Sequence, residues 1–305
     1  MLISVIIPLY NKRPHVAATL QSLFAQTHSD FELVIVDDGS TDGSADEVRR
    51  CLAGIPHTQA VNIITQPNAG VSAARNTGIQ AATADYIALL DADDEWTPDY
   101  LATQADLATR YPQCQVFALS YLFRYHDGTT TPATIRHLPF NTPHGVLTNY
   151  FEVAAHSHPP ICSISIMVTK TALTSIGGFP LGIKSGEDLL TWARLATRYQ
   201  IAYSRKQCAI FNVEGYKTSE KPKRVPAEND IVGQELLALQ REYHTPGLRQ
   251  YRAMWHKMRA SVYMRLRMRR KSLRECAKSL RCTPLNHKVW AFALLNLLPT
   301  PLQPF

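Results

Sequence analysis

Leu2-Ile3-Ser4-Val5-Ile6-Ile7-Pro8-Leu9-Tyr10-Asn11-Lys12 begins with an apolar run that stops abruptly in polar residues. The run is continuous and β-branched rather than alternating, the pattern of a strand buried on both faces of a parallel sheet. Working outward, Pro14 opens a helix in which Val16, Leu20, Leu23 and Phe24 recur at helical spacing. A second strand over 31–36 ends in Asp37-Asp38-Gly39-Ser40. A short helix over 44–52, a strand over 61–65 and a helix of small residues over 71–82, able to approach a sheet closely, come next. A fourth strand over 86–90 runs into Asp91-Ala92-Asp93-Asp94, and Thr97 as N-cap with Pro98 at the first helical position opens another helix. Strand, loop and helix repeating in this way predict an α/β fold: a doubly wound, mostly parallel sheet flanked by helices, with ligands beyond the carboxyl ends of its strands. Three polar clusters fall at such ends: Tyr10-Asn11-Lys12, Asp37 to Thr41, and Asp91 to Asp94.

Beyond residue 110 the pattern is less regular. Residues 116–124 and 162–168 read as strands and Asp127-Gly128 as a turn. Ser185-Gly186-Glu187-Asp188 precedes a helix whose Leu189, Trp192, Ala193 and Ala196 form an apolar stripe. Trp192 and Phe179 are therefore expected in the core rather than as ligand-stacking platforms. Residues 201–203 and 209–213 read as two closing strands, and after a linker over 221–226 the remainder reads as helical.

The chain has 305 residues, 45% hydrophobic and 19% charged, which excludes a disordered or fibrous protein. No stretch reaches the roughly 18 uninterrupted apolar residues needed to cross a bilayer. A signal peptide is not expected: no positive segment precedes the first apolar run, and Asn11-Lys12-Arg13 stand where small residues would be cleaved. Six cysteines without paired spacing read as unpaired thiols. His156-Ser157-His158 lies in a loop before Pro159-Pro160 and reads as ordinary polar loop rather than a metal pair. The formal charge of +7 is uneven. Fourteen of the 32 basic residues but only two of the 25 acidic ones fall in 241–288, so that segment carries +12 and the rest −5.

Asp91 and Asp93 leave a strand end on the same side of an extended backbone, and such hard oxygen ligands suit Mg²⁺ or Mn²⁺ shared with a phosphate. The competing reading is an acidic turn before a helix N-terminus, which is how Asp94 and Glu95 are taken. The Gly-rich dinucleotide fingerprint is absent after the first strand, where Pro8-Leu9-Tyr10-Asn11 stands, so a nicotinamide or flavin dehydrogenase loses its main support.

Ser4 to Lys12, then Val36-Asp37-Asp38-Gly39-Ser40-Thr41-Asp42, then Asn68-Ala69-Gly70-Val71-Ser72-Ala73-Ala74-Arg75-Asn76-Thr77-Gly78, then Asp91 to Asp94, resemble the successive motifs of family 2 glycosyltransferases. Gly177-Gly178-Phe179 and Gly186-Glu187-Asp188 match its later motifs, and the resemblance covers about 2–215. It implies a GT-A-type fold and an inverting enzyme that uses a nucleotide-sugar donor, most often a UDP-sugar, with Mn²⁺ or Mg²⁺ as cofactor. It further implies that Pro8, Tyr10 and Asn11 line the nucleotide pocket, that Asp38 reads the base, that Arg75 lies near the diphosphate, and that Asp91 lies near the ribose and beside the metal. Asp93 would bind the metal and Asp188 would be the catalytic base, with Glu187 as its neighbour. A helix dipole favours an ionised Asp188 while Glu187 opposes it. Where many relatives close over the diphosphate with a histidine or a basic loop, this chain reads Phe211 to Ser219, with Lys217 as the candidate substitute.

The expected division is a nucleotide-sugar glycosyltransferase domain over 1–215 and a helical basic extension over 216–305. In the extension Leu248, Tyr251, Trp255, Met258, Val262 and Leu266 follow helical spacing, resumed at Leu273, Ala277 and Leu280, with Arg and Lys between them. With the short apolar 289–298, this reads as a separable anchor on anionic lipid, against the alternative of helices packed on the catalytic body. The expected partners are a nucleotide-sugar donor, a glycan or lipid-linked saccharide acceptor in cell-surface polysaccharide or lipopolysaccharide synthesis, and an anionic membrane, with no nucleic acid. The expected place is the cytoplasm, at the inner face of the membrane. The rival functions are a nucleotidyltransferase of similar fold, whose Gly-rich basic loop is missing, and a non-catalytic membrane- or nucleic-acid-binding scaffold, which would have no reason to keep both Asp93 and Asp188.

Overall fold

The computed structural model describes residues 1–213 and 225–297. The first half alternates as the sequence predicts: β1 (Ile3–Leu9), α1 (Val16–Phe24), β2 (Phe31–Asp37), α2 (Ser44–Gly54), β3 (Val61–Thr65), α3 (Val71–Ala81) and β4 (Tyr86–Leu89). There follow β5 (Glu95–Trp96), α4 (Tyr100–Arg110), β6 (Val116–Tyr125), β7 (Thr130–Pro132), β8 (His144–Val146), α5 (Tyr150–His156), β9 (Ile166–Thr169), α6 (Lys170–Ser175), α7 (Glu187–Arg198) and β10 (Ile201–Val213). Four helices end the described chain: α8 (Ile231–Tyr243), α9 (Leu248–Arg265), α10 (Arg269–Cys282) and α11 (His287–Leu297).

The main path of the sheet runs β3-β2-β1-β4-β9-β6-β10-β5. β3, β2, β1 and β4 are parallel, and the sheet becomes mixed at β9, which is antiparallel to both neighbours. The order reverses at β1, whose partners are β2 on one side and β4 on the other. A crevice therefore opens beyond the carboxyl ends of β1 and β4, where such sheets bind ligands. Both ends carry polar clusters found in the sequence.

β1 is buried on both faces. Ile3, Val5, Ile7 and Leu9 face the layer containing α1 and α4, while Ile6 faces the layer built on α3, α5 and α7. Gly78 explains how α3 comes so close, since a Cβ there would lie 2.4 Å from Ile6 Cγ2. Any larger residue would push α3, and Arg75 with it, off the sheet.

Three local expectations are corrected. Thr97 and Pro98 do not start α4: Glu95 and Trp96 pair with β10, the Thr97 N–H bonds Cys208 O, and a turn closed by the Tyr100 N–H on Thr97 O delays the helix to Tyr100, with Asp99 as its N-cap. The strand expected from Cys162 begins only at Ile166, because Ser163 to Ser165 form a 3₁₀ turn closed by the Ser165 hydroxyl. The two closing strands are one strand, β10. Its register with β6 shifts between Ser204 and Ala209, so exposed Arg205 to Gln207 interrupt the apolar pattern like a loop.

The basic helices also differ from the lipid-anchor reading. Val232, Leu236, Leu239, Leu248, Tyr251 and Trp255 belong to the same core cluster as Ile6, Phe151 and Trp192. Tyr251 and Trp255 are thus core side chains rather than lipid-facing ones, whereas Met258 and Ala277 do face outward. α10 packs on α9, and α11 on both. Among the described residues no helix is long and apolar enough to cross a membrane. All six cysteines are free.

Candidate active site

The crevice is stitched together by its own polar residues. Asn11 follows β1 with a left-handed φ of 52°, a conformation asparagine tolerates better than most residues. From there its N–H donates to Ser40 Oγ at 3.1 Å and its Oδ1 accepts the Thr41 N–H at 2.8 Å, locking the β1 and β2 loops. Pro8 is half-buried in register with Val36, and Tyr10 stands 48% exposed just beyond β1. Asp38 is buried and already accepts three hydrogen bonds: from Gln66 Nε2 (2.7 Å), Ala69 N (2.9 Å) and Gly70 N (2.8 Å). It holds the loop that leads into α3, and roughly one of the four lone-pair sites of a carboxylate is left for anything else.

Arg75, on α3, is the best-placed cation. It is 3% exposed, donates from Nη2 to Asp91 Oδ1 at 2.8 Å and lies 5.1 Å over the Phe179 ring. Burial opposes its charge, yet Asp91, Asp188 and Glu187 together hold its pKa above the ordinary arginine value. Its Nε and Nη1 are buried without a hydrogen-bond partner. Unmet donors of this kind are costly unless something fills them. Phe179 is fixed in turn by Asn76, which donates from Nδ2 to Phe179 O and accepts the Phe179 N–H, both at 2.8 Å. Gly178 must stay small, because a Cβ there would lie 2.6 Å from Asn76 Oδ1.

Beyond β4, Asp91 pairs with Arg75 and Asp93 with Lys12. Asp94 is not merely a helix-start residue. It is buried, and its Oδ1 accepts the Asn212 N–H at 2.7 Å, while Asn212 Nδ2 donates to Asp93 O at 2.7 Å. Burial, with Asp91 and Asp93 beside it, pushes the Asp94 carboxyl well above the usual range. β10 thereby reaches across to shape the acidic turn. Lys12 and Asn212 carry roles that the sequence left unassigned. Lys12 was visible at a strand end, but nothing in the spacing could link Asn212 to a turn 119 residues earlier.

Glu187 and Asp188 form the first turn of α7. Asp188 Oδ1 accepts the Leu189 N–H at 2.7 Å. Burial raises Asp188 above the ordinary carboxylate value, against Arg75 and the Leu189 N–H; burial followed by Asp188 raises Glu187. The balance between helix terminus and desolvation thus falls to desolvation. Arg75 joins the two acidic groups: it bonds Asp91 and feels both Glu187 and Asp188. Trp192 and Phe179 are core residues, as expected. His156 Nδ1 bonds Glu152 O and His158 Nδ1 accepts the Thr134 N–H, so the two rings serve separate local contacts. Lys217 lies outside the described residues.

The donor set also fits a divalent cation. Asp91 and Asp93 offer partly exposed hard oxygens, and a metal shared with phosphate needs only one or two protein carboxylates.

A sequence model described as Glycosyl transferase family 2 matches residues 4–166, so the chain belongs to that family. The putative teichuronic acid biosynthesis glycosyltransferase TuaG of Bacillus subtilis is 30% identical over 207 residues, covering 68% of this chain and 77% of TuaG. The first curated relatives are matched over only 30–34% of their own length. S. aureus TarS 1-349, in complex with UDP-GlcNAc, superposes with a TM-score of 0.67 at 17% identity, covering 97% of this chain and 89% of TarS 1-349. A Pyrobaculum calidifontis mannosyltransferase, in complex with GDP-Man and Mn²⁺, gives 0.59 at 21% identity and covers 96% and 80%. At these identities the two structures establish the GT-A-like fold.

Proposed function

We propose that this chain is an inverting, metal-dependent glycosyltransferase that moves a sugar from a UDP-sugar to a hydroxyl of a glycan or lipid-linked saccharide in cell-surface polysaccharide or lipopolysaccharide synthesis. The observation that carries the reading is Arg75: a buried guanidinium with two unmet donors, lying among Asp91, Glu187 and Asp188 at the sheet's switch point. Those donors suit the diphosphate of a donor. Tyr10 and Asn11, with Pro8 beneath them, line the nucleotide side, Asp38 keeps its remaining lone pair for the base, and Asp91 reads the ribose. Mn²⁺ or Mg²⁺, held by Asp93 with Asp91 beside it, would neutralise charge on the departing diphosphate. Asp188 takes the proton from the acceptor hydroxyl as its oxygen attacks the anomeric carbon and the bond to the diphosphate breaks. One displacement needs one base, and it inverts the centre. Arg75 stabilises the leaving group's growing charge from a site with little water. TuaG's name and the UDP-GlcNAc bound to TarS favour an envelope saccharide and a uridine donor.

Asp93→Ala abolishes transfer and metal-dependent UDP binding while the fold survives. Lys12 loses its partner, but that pair is partly exposed and solvent-screened, so its loss costs on the order of 1 kcal/mol. Titration of UDP against wild type and variant with Mn²⁺, beside turnover, checks this. Wild-type values from a folded variant remove the metal role, and binding of GDP in preference to UDP moves the donor class.

The helical remainder over 216–305 is proposed to rest on an anionic membrane at the cytoplasmic side through its outermost layer. Trp290, Leu294 and Leu297 project from α11 at 52%, 63% and 68% exposure, and Arg267, Arg270, Arg274, Arg281 and Lys288 of the same helical remainder are exposed as well. Apolar anchors and lysines or arginines worth ~1 kcal/mol each at an anionic surface act together. The full chain therefore co-sediments with anionic but not neutral vesicles, and salt at about 1 M releases it by screening. Trp290→Ala with Leu294→Ser releases it without lowering the melting temperature. Equal binding to neutral vesicles, or none to either, rejects the membrane surface.

A further inference from the structure

Gly186, the N-cap of α7, has a left-handed φ of 85°, and a Cβ there would lie 2.6 Å from Trp255 Cη2 and 2.7 Å from Cζ3. The indole from α9 therefore rests directly against the residue before Glu187 and Asp188. One turn earlier on α9, Tyr251 donates its hydroxyl to Leu189 O at 3.2 Å, and Leu189 is the residue whose N–H holds Asp188 Oδ1. The Tyr251 ring packs on Phe151 and Tyr150 of α5, with centroids at 5.4 and 6.0 Å. Two neighbouring turns of a C-terminal helix thus touch the first turn of α7 from opposite ends of the Gly186 to Leu189 segment.

Trp255 is itself held. Its Nε1 donates to Asp230 Oδ1 at 2.9 Å, and the same oxygen accepts the Gly233 N–H at 3.0 Å to cap α8. Behind Asp230, Glu275 of α10 accepts from His256 Nδ1 at 2.7 Å and Lys278 Nζ at 2.8 Å. Arg259 Nε lies 3.4 Å from Glu275 and 3.6 Å from Asp230. Burial alone would push Glu275 up, but the His256 and Lys278 hydrogen bonds and the Arg259 charge hold it at about 2. Asp230, His256 and Glu275 are close enough to ligate a cation, with ligand atoms within 4.8 Å. Arg259 and Lys278 already balance the two carboxylates, however, and a cation would have to enter against them. The cluster is better suited to anchoring Trp255 than to binding metal.

We propose that Tyr251 and Trp255 are positioning residues for the Asp188 carboxylate, setting the first turn of α7 from the C-terminal helices. The proposal rests on Asp188 being the base. Phe151 supplies bulk around these contacts and Val232 Cγ2 would also lie 3.5 Å from a Cβ at Gly186, but Tyr251 adds a side-chain hydrogen bond to the Leu189 carbonyl and Trp255 makes the tightest approach to Gly186. A reacting group displaced by about 1 Å can cost up to ~100-fold in rate.

The test uses the full chain as wild type, Tyr251→Phe, Trp255→Phe and Asp188→Asn, with kcat, donor KM, the kcat–pH profile and a thermal melt for each. Tyr251→Phe removes one oxygen and Trp255→Phe one N–H and part of the ring. Each is expected to lower kcat about tenfold per folded molecule, with donor KM within about twofold. The acid limb should also move, because the groups facing Asp188 (Glu187, Arg75, Asp91, and the hydroxyls of Tyr150 and residue 251) are rearranged or lost. If both variants keep the wild-type kcat and acid limb, or lose activity only in proportion to unfolded protein, the positioning role is overturned. Should Trp255→Phe melt below the assay temperature, Tyr251→Phe decides alone. A wild-type rate from Asp188→Asn would overturn the base assignment and this proposal together, an outcome distinct from wild-type rates in the α9 variants beside an inactive Asp188→Asn.

Discussion

Asp188→Asn lowers kcat at least about a hundredfold, the scale of a lost general base, and leaves donor affinity nearly unchanged. The substitution keeps the carbonyl that accepts the Leu189 N–H, so the first turn of α7 has no reason to move. It also removes a carboxylate whose ionised form burial disfavours, so stability should not fall. The wild-type pH profile carries a second consequence. The base works ionised, and burial raises the Glu187–Asp188 pair above ordinary carboxylate values even with Arg75 beside it. Activity is therefore full above that raised value and is lost as pH falls through it, at higher pH than an exposed aspartate near 3.8 would set. Asp188→Asn removes the limb with the rate. Glu187→Gln relieves the like charge, so the limb shifts to lower pH while most of the rate is kept. Full activity in Asp188→Asn with loss in Glu187→Gln would mean that the neighbouring carboxylate is the base. kcat and kcat/KM between pH 4 and 8 for the three proteins give the answer.

The parallel half of the sheet was legible because its signal is local. A β-branched run buried on both faces, a helix of small residues and a polar strand end each fit in about ten residues, and Gly78 meeting Ile6 is what the small residues of α3 are for. The clusters at strand ends were legible for the same reason. What the sequence hid was long-range. Asp94 reads as a helix-start acid until Asn212 arrives from β10, and the break at Arg205 to Gln207 reads as a loop until β6 pairs through it. The basic extension misled because spacing finds an amphipathic face without saying what covers it. Leu248, Tyr251 and Trp255 are spaced as a lipid-facing stripe would be, and the structure shows the catalytic body occupying that face.

That occupied face reverses the outcome expected of a truncation. An anchor can be removed; a wall of the core cannot. A chain ending at residue 225 loses α8 and α9 and uncovers Phe151, Tyr150 and the Gly186 to Leu189 turn that Tyr251 and Trp255 cover. Six of the lost side chains (Val232, Leu236, Leu239, Leu248, Tyr251 and Trp255) are buried in the main core. Burying such a side chain fully is worth ~1.5–3 kcal/mol. The ordering cost of the removed segment, about 1–2 kcal/mol per residue, vanishes with it, so the loss is not a simple sum. What remains is an apolar face on the body with nothing over it, in a fold whose whole margin is of order 5–15 kcal/mol. The truncated chain is therefore expected to aggregate or to melt well below the full chain, and to lose donor hydrolysis because the turn carrying Asp188 is unsupported. A chain ending at residue 267, which keeps α8 and α9 and sheds α10 and α11, should retain more structure while losing vesicle binding. It also strips Glu275 from Arg259 and His256, leaving Asp230 as the one carboxylate beside the buried Arg259 guanidinium among the described residues, so a moderate fall in melting temperature is expected. Calorimetry and light scattering on the three lengths, with donor hydrolysis measured on whatever stays folded, provide the check. A 1–225 chain that melts and hydrolyses like the full protein would mean that the contacts of α9 with Gly186 and Leu189 contribute nothing.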